Sequence, residues 1–264
     1  MSYIIAGGVS GKERLALLGS ILNEGTLALL QRLRPGPVKH FLDLGCGGGS
    51  LSIAVARSGY ARQVTGIDFD ENIVALARAD AGAQELKQVT FVAGDATTLV
   101  ETNTRNVVYA RFLLSHLTDP LAALQKMTRA LRPGGLLLVE DVDFAGHFCE
   151  PGNNAFARYV ELYERSARAN GQDPDIGRRL PALLPKAGLQ DVGFDLVQPV
   201  FQSGPGKMMA YHTLDKIGAT LLHEGLTSAT ELQDLHTALL AFTEDPNSLI
   251  SMPRIFRVWG TKGF

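Results

Sequence analysis

Two cysteines, Cys46 and Cys149, are too few for a metal cluster or a disulfide framework, so a reducing, cytoplasmic setting is expected. No run of 18 uncharged apolar residues occurs, and no membrane span is expected. Excess charge of one sign is missing as well: 25 Lys and Arg face 27 Asp and Glu, a net charge of −2. Proteins that grip phosphate backbones usually carry a basic face, so nucleic acid is not an expected partner. The opening MSYIIAGGVSGKER lacks the basic start and apolar stretch of a signal peptide. His212, His223 and His236 are 11 and 13 residues apart, not the three or four of a helical ligand pair, and no metal site is expected. Repeats and low-complexity segments are absent too. What remains is ordinary globular composition, 45% hydrophobic in 264 residues, enough for one large domain or a domain with a cap.

Apolar residues recur at helical spacing from Lys12 to Leu33, where Gly25 is placed to divide the run into two helices and RPGP (34–37) ends it. Short apolar runs then alternate with helical patterns. Strands are expected at 38–44, 63–69, 89–95, 106–111 and 136–142, and helices at 50–59, 71–81 and 119–131, with RPGG (132–135) as a turn. This alternation predicts an α/β fold with a parallel sheet covered on both faces. Past residue 145 the pattern gives helices at 153–170 and 180–189, late strands at 192–201 and 254–263, and a mostly helical insertion between them.

The segment FLDLGCGGGS (41–50) puts four glycines after the first expected strand. Read as a dinucleotide fingerprint, Gly45 and Gly47 fit but Ser50 stands in the third place. Asp43, two residues before the first glycine, would repel a pyrophosphate and suit an ammonium group. Asp68, 23 residues after Gly45 at the end of VTGIDF, can accept both hydroxyls of a ribose. In order along the chain, FLDLGCGGGS, VTGIDFD, VTFVAGDAT, NVVYARFLLSHLTDP and LRPGGLLLVED resemble the motifs of class I S-adenosylmethionine-dependent methyltransferases, strongly over residues 38–145. The resemblance implies a Rossmann-like, mostly parallel sheet of seven strands whose last strand, RIFRVWGTK, is antiparallel. It also implies a helical lid over 1–36, a methyltransferase domain over 37–264 and a helical cap insertion at 203–252.

S-adenosylmethionine is the cofactor implied. Gly45 and Gly47 would lie against its methionyl and ribose parts, Asp43 would hold the amino group, and Asp68 the ribose hydroxyls with Phe69 beside the adenine. Asp95 would accept the adenine amino group with the Ala96 backbone near the ring. Ala110 and Arg111 would stand beside the sulfonium. Tyr3 and Arg14, in a lid-like N-terminal segment, would close over the sulfonium and pair with the cofactor carboxylate. Asp43, Asp68 and Asp95 also suit caps of turns and helices, and both roles can coexist. Cys46 reads as a small filler.

For the chemistry, His116 in ARFLLSHLTDP is the first candidate base, since an ordinary imidazole suits base work at neutral pH, and a histidine that caps or packs that loop is the competing reading. VEDVDFAGH offers Glu140, Asp141, Asp143 and His147 as an acidic rim, with Asp141 as the second candidate catalytic group, although a solvated strand end is the first reading of most of them. Met208, Met209, Tyr211 and their neighbours suit a substrate wall or core. ARFLLSHL lacks the Asn-Pro-Pro-aromatic signature of base-methylating enzymes, so a small acceptor is expected, methylated on oxygen or nitrogen, with carbon open. The competing readings are a nucleotide-dependent oxidoreductase on a similar sheet and a cofactor-binding protein without turnover. The long helical insertion also suits a homodimer.

Overall fold

The computed structural model describes residues 9–264, with side chains from residue 14 onward. The first half runs α1 (Val9–Leu33), β1 (Val38–Leu44), α2 (Ser50–Arg57), β2 (Ala61–Asp68), α3 (Glu71–Ala83), β3 (Val89–Ala93), β4 (Arg105–Arg111), α4 (Pro120–Ala130) and β5 (Leu131–Asp143). The second half adds β6 (Cys149–Glu150), α5 (Asn154–Ala169), α6 (Leu180–Lys186), β7 (Leu189–Val197) and β8 (Val200–Phe201). It closes with α7 (Met209–His223), α8 (Ala229–Glu244), β9 (Leu249–Ser251) and β10 (Arg254–Lys262). Seven strands form one sheet in the order β3-β2-β1-β4-β5-β10-β7, with β10 antiparallel to both its neighbours. This is the Rossmann-like architecture expected from the motifs. A small second sheet joins β6, β9 and β8.

Strand parity decides which residues can reach which face. Leu42 and Leu44 of β1, Val108 and Ala110 of β4, and Leu137 and Val139 of β5 pack against α4 and α6. Their neighbours Phe41, Val107, Tyr109, Leu136 and Leu138 pack against α1 and α2. A third cluster joins α5, α7 and α8 through Tyr159, Leu162, Leu214, Ile217, Leu235 and Leu239. The cap over the sheet therefore draws on α5 as well as on the segment 203–252. Among the described residues no helix is long and apolar enough to cross a membrane.

Three local expectations are corrected. Gly25 does not divide the first helix; α1 is continuous, because Arg257 Nη1 packs on Gly25 and donates to its carbonyl at 3.3 Å while Thr26, Leu29 and Leu30 are buried beside it. Tertiary contact there outweighs the roughly 1 kcal/mol cost of a mid-helix glycine. RPGG is no turn between elements; it lies inside β5 as an irregularity opposite Arg105–Val107 of β4. The expected strand 192–201 is two strands, since Gln198 and Pro199 interrupt it and its end pairs with β9 instead.

Caps fall where the sequence puts short polar side chains. Asp70, Asp119, Asn153 and Ser228 each accept a backbone N–H at the start of α3, α4, α5 and α8. At α2 the capping residue is Gly49, with φ +74°, and a Cβ there would sit 2.4 Å from Phe91 Cζ. Gly49→Ala should therefore destabilise the fold by about 3 kcal/mol, combining the left-handed penalty with overpacking. Denaturant titration measures this; a loss under about 1 kcal/mol would mean that the loop relaxes freely around Phe91.

Candidate active site

The carboxyl ends of β1 to β5, α1 and the cap enclose a cavity of about 590 Å³. The glycine loop forms its floor because it is laid against the end of β2. Gly45 N–H and Cys46 N–H both donate to Ile67 O, at 2.8 and 3.1 Å. Gly47, with φ +52°, turns its N–H onto Asp68 Oδ2 at 2.8 Å, and Asp70 N–H donates to Oδ1 at 3.1 Å. Loop and carboxylate thus hold each other in place at the cavity wall. Beside them Phe69 is 72% exposed at the rim, and Asp95 and Ala96 continue the wall. Asp95 does cap a turn, since Thr97 N–H and Oγ1 both donate to its Oδ1 at 2.7 Å, yet it also lines the cavity.

Asp43 points from β1 to the α2 side, where Ser52 Oγ donates to its Oδ2 at 2.7 Å. Burial pushes its pKa up to about 6, against the opposing pull of Ser52 and Arg111. Arg111, on the same face of β4, donates from Nη2 to Asn23 Oδ1 at 2.9 Å. Its Nη1 is buried without a hydrogen-bond partner among the described residues, 3.9 Å from Glu140 Oε2. Glu140 is occupied elsewhere: Tyr109 OH donates to it at 2.7 Å, and Thr26 Oγ1 lies 2.9–3.0 Å from its two oxygens. This network ties α1 to β4 and β5, and no sequence motif announced it.

The site's donor set tests the cofactor. Three carboxylates in a row, Asp43, Asp68 and Asp95, suit a ligand bearing an ammonium, two hydroxyls and an exocyclic amine, and they oppose a pyrophosphate. The Nη1 of Arg111, without a hydrogen bond among the described residues and on the cavity wall that also carries Asp43, suits a carboxylate next to an ammonium. S-adenosylmethionine carries all of these groups, so the residues fit it.

Two expected site residues fall elsewhere. Ala110 has the parity of Leu44 and Val139, and its side chain is buried among the residues facing α4 and α6. Asp141 shares that parity. It is fully buried, and its Oδ2 accepts Leu114 N–H at 2.8 Å and Ser115 N–H at 3.2 Å, while Oδ1 accepts Val142 N–H at 2.9 Å. Its pKa is pushed up to about 6 by burial, opposed by these hydrogen bonds. Asp141 is thus the anchor of the turn Leu114–His116 and does not line the cavity. Nor is there a solvated acidic rim: Glu140 is bound as above, and Asp143 is buried against Arg178, 2.5 Å, and Arg254, 3.5 Å. Tyr3 lies outside the described residues.

The cap side of the cavity is apolar and aromatic. Phe144 stacks on Tyr163 with centroids 3.9 Å apart and planes at 12°, and Tyr159, Val142, Met209 and Met252 complete that wall. Arg14 reaches the cavity from α1 and donates from Nε to Thr213 Oγ1 of α7 at 3.3 Å. His116 is there too, with Nδ1 3.4 Å from Gln172 Oε1 and its pKa pushed down to about 4 by burial. His147 also lines this side. The aromatic wall was legible only as helix periodicity, Phe156, Tyr159 and Tyr163, which reads equally as core. Cys46 packs among Val74, Ala77 and Phe91, and burial raises its thiol pKa, as a filler requires. Among the described residues no group of His, Cys, Asp and Glu is placed to hold a metal ion.

Comparison with known proteins agrees with this geometry. A family model described as a methyltransferase domain matches residues 37–173. An O-methyltransferase of Aspergillus sclerotiorum is 30% identical over 215 residues, covering 79% of this chain and 77% of that protein. An O-methyltransferase of Pyrenophora dematioidea is 33% identical over 141 residues, and the match spans about half of each chain (53% and 52%). Among solved structures, phosphoethanolamine N-methyltransferase 2 of Haemonchus contortus superposes with a TM-score of 0.58 at 20% identity, over 91% of this chain and 53% of that one, which speaks for the fold. By the family match over half its length and the relative spanning more than two thirds of it, the chain belongs to the methyltransferase-domain family and is a class I S-adenosylmethionine-dependent methyltransferase.

Proposed function

We propose that this enzyme methylates a hydroxyl oxygen on a small, neutral, largely apolar metabolite. One observation carries the reading: among the described residues the acceptor side of the cavity holds no carboxylate. Glu140, Asp141 and Asp143 are all buried against partners of their own, and what faces the space is aromatic and thioether surface, histidines held neutral and the Arg14 guanidinium bonded to Thr213. A cationic amine finds no counter-charge there, and desolvating an unpaired cation is costly. A neutral hydroxyl needs only a hydrogen-bond acceptor. The names of the relatives, both O-methyltransferases, support the same choice.

For the cofactor we assign Asp68 to the ribose hydroxyls, Asp95 and the Ala96 backbone to the adenine edge, and Phe69 to its face. Asp43 takes the amino group. Arg111 is better placed than Arg14 for the carboxylate, because its buried Nη1 makes no hydrogen bond among the described residues and has only the Glu140 carboxylate 3.9 Å away, whereas Arg14 is engaged with Thr213. When bound, S-adenosylmethionine supplies an electrophilic methyl group, so the protein's task is to orient the acceptor and exclude water. The aromatic wall and α1 serve that end. The balanced charge, two free cysteines and absence of a basic patch motif favour a cytoplasmic enzyme acting on a free metabolite and not on nucleic acid. Light scattering on the purified protein tests whether it forms a dimer.

The test is a matched pair of probes, 1-naphthol and 1-naphthylmethylamine, the latter a cation at neutral pH, incubated with S-adenosylmethionine while S-adenosylhomocysteine release is followed. Turnover of the naphthol well above that of the amine is expected. Preference for the amine would overturn the hydroxyl reading.

A further inference from the structure

His147 follows the short turn Phe144–Gly146 at the end of β5. Its Nδ1 lies 3.0 Å from Phe144 O. A carbonyl can only accept, so Nδ1 carries the proton and the lone pair is on Nε2. The ring is fixed from three sides, edge-on to Phe144 (4.3 Å), Phe156 (5.8 Å) and Tyr159 (6.2 Å). Nε2 has no hydrogen-bond partner among the described residues, and the residue lines the acceptor side of the cavity. A fixed tautomer, a clamped ring and an acceptor atom in an aromatic chamber together describe a receptor for one O–H group.

We propose that His147 binds the acceptor's hydroxyl through Nε2 and takes its proton during methyl transfer, and that the acceptor is an acidic, ring-borne hydroxyl such as a phenol. This rests on the hydroxyl reading above and narrows it. As the acceptor oxygen bonds to the methyl carbon and the carbon–sulfur bond breaks, the O–H electrons stay on oxygen. The proton passes to Nε2, and the imidazolium then releases it to water. Behind Nδ1 stands a neutral carbonyl and not a carboxylate, so little stabilises the imidazolium. Burial agrees, pushing the His147 pKa down to about 3. So weak a base serves a phenol that acidifies as its oxygen is alkylated, not an aliphatic alcohol. The flat Phe144–Tyr163 stack offers a planar ring a matching wall.

His147→Asn is the informative variant, because the asparagine amide nitrogen occupies the place of Nδ1 and keeps the bond to Phe144 O, while Nε2 disappears. With 1-naphthol, kcat should fall about 10²-fold, the lower end for general-base catalysis. With 4-nitro-1-naphthol, ionised at neutral pH, the loss should shrink to a few-fold, since no proton remains to be taken. S-adenosylhomocysteine affinity should stay within about two-fold, which shows that the variant is folded. In the wild-type complex with S-adenosylhomocysteine, adding 1-naphthol should shift the ¹⁵N resonance of His147 Nε2. Equal losses for both naphthols, or an unmoved Nε2 resonance while 1-naphthol binds, would overturn the role of His147 and leave the hydroxyl reading intact. If wild type binds S-adenosylhomocysteine but neither binds nor methylates 1-naphthol while methylating the amine, the hydroxyl reading itself fails and this inference falls with it.

Discussion

Asp68→Ala is expected to bind S-adenosylhomocysteine about 100-fold more weakly than wild type in a calorimetric titration. The carboxylate has two tasks that alanine removes together. It accepts Gly47 N–H at 2.8 Å and Asp70 N–H at 3.1 Å, which sets the glycine loop against β2. By our assignment it also accepts the ribose hydroxyls. Hydrogen bonds to a charged group are worth about 1.5–3 kcal/mol each, and about 2.7 kcal/mol corresponds to the expected hundredfold. Asp95→Ala should cost less, because that carboxylate bonds only Thr97, two residues on, and does not hold the glycine loop. Affinity unchanged within about two-fold in Asp68→Ala would mean that the ribose is held elsewhere, and the assignment would have to be abandoned.

The second large effect is expected on stability. Asp141→Asn should lower the unfolding free energy by about 3 kcal/mol. Three backbone N–H groups converge on that buried carboxylate, and an amide can face them with only one oxygen while its own N–H₂ opposes the others. The turn Leu114–His116 would lose its anchor, so turnover should fall as well, through displaced His116 and Ser115 at the cavity wall. Denaturant titration separates the two interpretations of this residue. Turnover lost with stability intact would return Asp141 to the chemistry; stability lost with S-adenosylhomocysteine binding retained is the outcome expected of an anchor.

His116 and His147 illustrate why the sequence ranked them as it did. His116 lies in the loop after the fourth strand, next to motifs already matched, so proximity along the chain favoured it. What distinguishes His147 is the carbonyl of Phe144 behind its Nδ1 and the rings of Phe156 and Tyr159 around it. Phe156 and Tyr159 arrive from a later helix whose pattern says only that one face is buried.

The amino-acid sequence alone determined the sheet and the order of the carboxylates along its edge. Period-two and period-3.6 patterns are local, and Asp43, Asp68 and Asp95 lie at or just past the ends of three successive strands, so spacing along the chain equals position along the sheet edge. Tertiary structure decided the rest. Asp141 and Ala110 were misplaced because both sit one residue from cavity-facing neighbours. The pleat turns each onto the α4 and α6 face, and which face holds the ligand depends on α1 and the cap, packed from opposite ends of the chain. The continuous α1 across Gly25 has the same cause, since the contact that favours it comes from Arg257, 232 residues away. The acceptor chamber likewise draws on β5, α5, α7 and α1 at once. Its chemistry, neutral and aromatic where the sequence suggested an acidic rim, follows from burial: a carboxylate removed from water must find partners, and here each found them within the protein.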